Sequence, residues 1–142
     1  MESIIIKEYP SMPKEAWTIR DEVFVKEQGF EEEFDEIDGW ATHLILFIEG
    51  EPIATCRYFF SENRGGYLLG RIAVIKKNPG KKIGADMHKE AAARLKALGA
   101  KEIYLHAQTQ ARGFYEKQGY LSLEEYDDEE GVPHVWMKRQ LL

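Results

Sequence analysis

The chain lacks several features that would place it in a class at once. Its 142 residues include one cysteine, Cys56, which excludes an internal disulfide and a thiolate zinc site. No apolar run is long enough to span a membrane, and the short apolar stretch in MESIIIKEYP is too brief for a signal peptide. A cytoplasmic protein without a membrane partner is therefore expected. There is no P-loop ending in Lys-Ser/Thr, no full GxGxxG and no G-x-S-x-G elbow. The histidines, His43, His88, His106 and His134, show no paired ligand spacing, so no metal is expected. Excess basic charge is missing too. With 19 Lys and Arg against 25 Asp and Glu the net charge is -6, the wrong sign for a general nucleic-acid binder.

What is present reads as one domain over residues 1–142, long enough to bury a core without staples. Residues 4–9 are β-branched and end at Pro10, which predicts a strand. From Pro13 the apolar residues Ala16, Ile19, Val23 and Phe24 follow a helical period, with Ser11 as a candidate cap and Gly29 near the stop. EEEFDEID is an acidic connection. HLILFIEGEPIATCRYFF predicts a hairpin turning at EGEP, with Cys56 as a small core residue. A strand over 67–75 precedes a helix whose stripe is Ile83, Met87, Ala91, Leu95 and Leu98, closed by Gly99. KEIYLHA is a strand, a short helix runs through Ala111 and Tyr115, and 120–124 and 134–139 are the last strands. This order predicts an α+β domain with helices on a mixed sheet.

Between the 67–75 strand and the following helix lies KKNPGKKIGA. A helix N-terminus presents unpaired backbone N–H groups and partial positive charge, which suits an anion. Gly80 and Gly84 permit close backbone approach, and Lys76, Lys77, Lys81 and Lys82 add four ammonium groups. A pyrophosphate would fit there; a solvated basic loop is the plain alternative.

The succession of LLGRIAVI, this loop, an amphipathic helix and AQTQARGFYEKQGY resembles the GCN5-related N-acetyltransferases (GNAT). RDEVFVKEQ and EEGVPHVWMKR narrow the resemblance to the ElaA/YjcF-type subgroup. It covers nearly the whole chain. The resemblance implies a GNAT fold with a central mixed sheet of about seven strands, in which two parallel strands splay apart to admit acetyl-CoA. Arg20, Val23 and Phe24 also resemble the acyl-homoserine-lactone synthases, which share the fold, while the rest follows the acetyltransferase pattern.

The same resemblance implies site residues. Ile72, Ala73 and Val74 would meet the thioester and pantetheine through their backbone, and Gly80, Lys81, Lys82, Ile83, Gly84 and Ala85 would hold the pyrophosphate. Pro79 and Lys82 depart from the family's R/Q-x-x-G-x-G/A loop. Gln108 would contact the cofactor arm. Tyr115 would assist the departing thiolate, a task suited to a phenol whose reference pKa of about 10 keeps it protonated; Phe114 is assigned to packing. Glu27, His43 and His134 are candidate bases, with a solvated glutamate and structural histidines as the alternatives.

The reading is an acetyl-CoA-dependent N-acetyltransferase acting on a small-molecule or peptide amine. Two acidic clusters, 31–38 and 124–130, suggest a cationic acceptor, or merely solubility. A homodimer is left open. The rivals are an acyl-CoA-binding regulatory module and a structural interaction protein.

Overall fold

The structure, a computed structural model, describes residues 3–31, 33–75 and 82–141. The elements are β1 (Ile4–Tyr9), α1 (Lys14–Arg20) continuing into a π-helical segment (Asp21–Glu27), a 3-10 turn (Glu36–Gly39), β2 (Thr42–Ile48) and β3 (Glu51–Ser61). They continue with β4 (Gly66–Val74), α2 (Ile83–Ala97), β5 (Glu102–Gln108), a 3-10 turn (Thr109–Ala111), α3 (Arg112–Lys117), β6 (Leu121–Glu129) and β7 (Val132–Gln140). Seven strands form one mixed sheet in the order β1-β2-β3-β4-β5-β7-β6, the α+β arrangement expected. No helix among the described residues is long and apolar enough to cross a membrane.

The chain divides into two compact units. The first comprises residues up to Tyr58 together with Arg71–Ala91. Here β2 pairs antiparallel with β1 and β3. The β2–β3 turn is Glu49-Gly50, with φ of 51° and 79°, the two left-handed residues that a tight hairpin needs. Leu44, Ile45 and Leu46 are all buried in β2, as are Ile53, Ala54 and Cys56 in β3, so side chains on both faces of these strands are covered. Ile19 and Val23 pack against Ala73, with Phe24 and Ile75 beside them, which seats α1 on β4. The cap of α1 is Pro13, with no side-chain hydrogen bond, and not Ser11: the Pro13 carbonyl receives the Ala16 and Trp17 N–H groups.

The second unit holds Phe59–Gly70 and the chain from Ala92 onward. β4 enters it beside β5, in parallel, at Tyr67↔Ile103 and Leu68↔Tyr104. A Cβ at Gly66 would lie 3.0 Å from the Tyr104 ring, so any larger residue would push that ring aside. β5 alternates, with Ile103, Leu105 and Ala107 buried and Tyr104, His106 and Gln108 on the other face. Its antiparallel partner β7 matches this, setting Met137 against Leu105 and Val135 against Ala107. α2 closes in a Schellman motif: Ala100 N–H reaches Leu95 O and Gly99 N–H reaches Lys96 O, with Gly99 at φ 93°. Leu98 falls off the predicted stripe, being 60% exposed and past the last turn.

The second acidic cluster is not a loop. Residues 124–129 lie in β6, which runs beyond the predicted 120–124 and turns into β7 at Glu130-Gly131, again with two left-handed residues.

Candidate active site

In the first unit the chemistry is organised by ion pairs. Arg20, 1% exposed, donates to the Asp38 carboxylate at 2.6 and 3.1 Å, to the Glu33 carboxylate at 2.9 Å and to the Glu33 carbonyl at 3.0 Å. Arg57 grips Asp35 at 2.6 and 3.0 Å and shares Asp38 at 2.8 Å. Arg71 reaches Glu33 at 3.1 Å and Asp35 at 3.6 Å. Asp35 also caps the 3-10 turn, exchanging backbone-to-carboxylate hydrogen bonds with Asp38. Burial pushes the Asp38 carboxyl up, but the hydrogen bonds and charge of Arg20 outweigh it and hold the group down to about 2. Asp35 is lowered in the same way, burial being outweighed by Arg57. Glu33 is raised, because its burial exceeds what Arg71 and Arg20 return.

This network grips β4 at a left-handed residue within the strand. Arg71 has φ 51°, a left-handed conformation rare outside glycine and a mark of strain or a bulge. Immediately after it come Ile72, Ala73 and Val74; Ala73 is buried and its two neighbours half-buried. The roles that the resemblance implies for 72–74 therefore fall on backbone that follows a residue held by two carboxylates. At the end of this stretch Ile75 N–H donates to Ile53 O at 3.0 Å.

The remaining predicted residues of the first unit are spread out. Gly80 and Lys81 lie outside the described residues. Lys82 is exposed, and its carbonyl accepts the Asp86 N–H at the start of α2; Ile83 is buried, and Gly84 and Ala85 are half-buried in that first turn. Glu27 is exposed at the end of the π-helical segment. His43 has no exposed surface, and its Nε2 lies 3.0 Å from the Asp38 carbonyl. A carbonyl only accepts, so Nε2 carries the proton. Nδ1 meets no hydrogen-bonding group among the described residues. Burial lowers the pKa of this imidazole and keeps it neutral.

In the second unit, Tyr115 is half-buried on α3, edge-to-face with Tyr120 at 5.9 Å and with Phe114 at 5.1 Å. α3 ends as α2 does, with Tyr120 N–H on Tyr115 O and Gly119 at φ 97°. Phe114 is 38% exposed. Gln108 ends β5 and accepts a hydrogen bond from Gln110 at 2.7 Å. His134 is buried opposite it, with Nδ1 2.8 Å from Val132 O and Nε2 3.6 Å from Glu129.

Two features have little local signal in the sequence. The arginine network draws on positions 20, 33, 35, 38, 57 and 71; the density of acids in EEEFDEID and a lone arginine on an apolar helix face were its only traces. His106 stacks on His134 and on Trp136, each at 4.6 Å, and its Nε2 lies 2.6 Å from Asp127. The 28-residue gap between the two histidines conceals their adjacency across paired strands.

Comparison with known proteins agrees with this architecture. The family model described as an acetyltransferase (GNAT) domain matches residues 9–141. YjcF of Bacillus subtilis, an uncharacterized N-acetyltransferase, is 35% identical over 98% of this chain and 99% of its own. ElaA of Escherichia coli is 28% identical over 87% of this chain and 84% of its own, and its crystal structure superposes with a TM-score of 0.84 at 24% identity over 99% and 100% of the two chains. An aminoglycoside 6'-N-acetyltransferase complexed with coenzyme A shares the fold, with a TM-score of 0.74 at 15% identity over 97% of each chain. The chain belongs to the GNAT family and is an acetyltransferase.

Proposed function

We propose that this chain is an acetyl-CoA-dependent N-acetyltransferase in which a neutral primary amine attacks the thioester directly in a ternary complex. The observation that carries this reading is the kink at Arg71, followed by Ile72, Ala73 and Val74. A left-handed residue inside a strand re-aims the backbone that follows it, and these re-aimed groups could meet a ligand. Acetyl-CoA supplies an activated acyl group; the chain supplies the groups around it. A backbone N–H of the 72–74 stretch would stabilise negative charge on the thioester oxygen. Lys82 and the first turn of α2 would receive phosphate oxygens. Tyr115 would donate its phenolic proton to the departing thiolate.

The amine must lose its proton before attack. His43, sealed and donating to a backbone carbonyl, is assigned to the scaffold. Glu27 and His134 remain, and Glu27→Gln and His134→Gln compared on acetyl transfer decide between them. The acceptor is proposed to be a cationic amine. In the 31–38 cluster Glu33, Asp35 and Asp38 are taken up by arginines, so steering falls to β6, where Asp128 is exposed and has no ion pair among the described residues.

The test is a panel of amines with acetyl-CoA, following thiol release and product mass. The expected result is amine-dependent release with an acetylated product, greatest for cationic amines. Coenzyme A that raises the melting temperature without turnover on any amine would point instead to a regulatory acyl-CoA binder; no shift and no release would overturn cofactor use.

A further inference from the structure

We propose that His106, Glu129 and His134 form a binding site for a divalent transition-metal ion of the zinc class, on the half-open face of β5, β7 and β6. Strand register brings the three together. Gln108 pairs with His134 and His106 with Trp136, so the two histidines are diagonal neighbours on one face. Asp127 pairs with His134 and Glu129 with Val132, which brings both carboxylates to the same face. One ligand atom from each of His106, Glu129 and His134 lies within 4.8 Å of the others.

The hydrogen bonds prepare His134 to ligate. Its Nδ1 is 2.8 Å from the Val132 carbonyl, which can only accept, so in the neutral ring Nε2 bears a lone pair. That nitrogen faces the Glu129 carboxylate at 3.6 Å. A cation held between these two atoms would satisfy both. A tetrahedral zinc site with bonds of roughly 2.0 to 2.2 Å separates its ligand atoms by about 3.4 Å, close to the 3.6 Å between His134 Nε2 and Glu129, while the His106 atom, within 4.8 Å, would close in on the ion. An imidazole fixed by its second N–H to a backbone carbonyl is the usual outer arrangement of a metal-binding histidine.

Charge singles out the same residues. On β6, Glu124 is paired with Arg112 and Glu125 with Arg64. Asp127 and Glu129 face only imidazoles among the described residues. One carboxylate and two imidazoles match a borderline dication and are poor for magnesium or calcium, which prefer oxygen alone. His106 and Glu129 are half-buried, so an ion can enter from solvent.

The test uses the untagged chain, titrated with Zn²⁺ by calorimetry and by competition with a chromophoric chelator, and with Co²⁺ followed by visible absorption. One equivalent is expected to bind, with the intense absorption of four-coordinate cobalt. His106→Gln and Glu129→Gln should each weaken Zn²⁺ by about ten-fold or more, while Asp128→Asn leaves it unchanged. His106 and Glu129 are chosen because they are half-exposed, and equal melting temperatures without metal verify that the variants are folded. His134→Gln, in the buried position, is the third member. Absence of binding at about 100 µM Zn²⁺, or affinity unaltered in both half-exposed variants, overturns the site. Zinc on His134 Nε2 would take the lone pair that a catalytic base needs, so the two proposed roles of this residue exclude each other, and direct binding is read without reference to acetyl transfer.

Discussion

The two units treat charge in opposite ways. Around Arg20, three arginines face three carboxylates, most of them sealed from water, and each carboxylate is shared between two guanidinium groups. Around His106, carboxylates face imidazoles on a half-open sheet face. The first cluster is balanced and leaves nothing for a ligand to complete. The second is open and short of positive charge. Identical residue types thus serve as scaffold in one place and as a receptive surface in the other, and what separates them is burial and partner count.

The sharpest way to break the contrast is to remove one member from each cluster. Arg20→Ala should destabilise the fold by about 3 to 5 kcal/mol, because it strands Asp38 and Glu33 in the interior. Glu129→Gln should change stability by less than about 0.5 kcal/mol. Urea denaturation of both variants measures the difference; similar losses would erase the distinction drawn between the clusters.

A smaller effect is expected at Tyr115, whose proposed task is chemical. Tyr115→Phe should slow acetyl transfer by roughly 10²-fold while leaving the coenzyme A-induced rise in melting temperature intact. Unchanged turnover, with chemistry shown to limit the rate, would make Tyr115 a packing residue against Tyr120.

Acid should find the sealed cluster first. A carboxyl held below its unfolded pKa stabilises the fold above that value, and the gain is lost as pH falls through the folded pKa. Asp38, held at about 2 against an ordinary 3.8, contributes roughly 2 kcal/mol that disappears between about pH 4 and pH 2. Glu33 acts in the other direction, since burial raises its pKa, so its protonation offsets part of that loss. Stability measured against pH should therefore fall below about pH 4 in the wild type and be flatter in Asp38→Asn.

The mildest effect belongs to His43. Its folded pKa is lowered, so the unfolded chain binds the proton more readily and stability declines as pH drops below about 6.5. His43→Gln should remove that decline, as seen in melting temperatures between pH 7 and pH 5; a decline of the same slope would place its origin elsewhere.

Much of the fold was legible because it is written in local pattern. β1 occupies the predicted residues, and the α2 stripe through Ile83, Met87, Ala91 and Leu95 is buried throughout. The EGEP turn forms where Glu49 and Gly50 can both take positive φ. β6 was read too short, since acidic residues disfavour strands in general. This one lies at the sheet edge with Leu121 and Tyr126 largely exposed, so polar side chains cost little there. The π-helical segment after Arg20 left no trace in periodicity. Tyr115 and the 72–74 stretch are candidates by resemblance alone, whereas the arginine network and His106 depend on pairings between distant segments that no window of sequence displays.

The arginine network also bears on the order in which the molecule assembles. Its ion pairs join residues 13 to 38 positions apart, so each waits for a long stretch of chain to close. Contacts that form after the folding barrier contribute little to the rate of folding and a great deal to the rate of unfolding. Arg20 and its partners thus act as a late latch: the chain should reach its native shape nearly as fast without them, and leave it sooner.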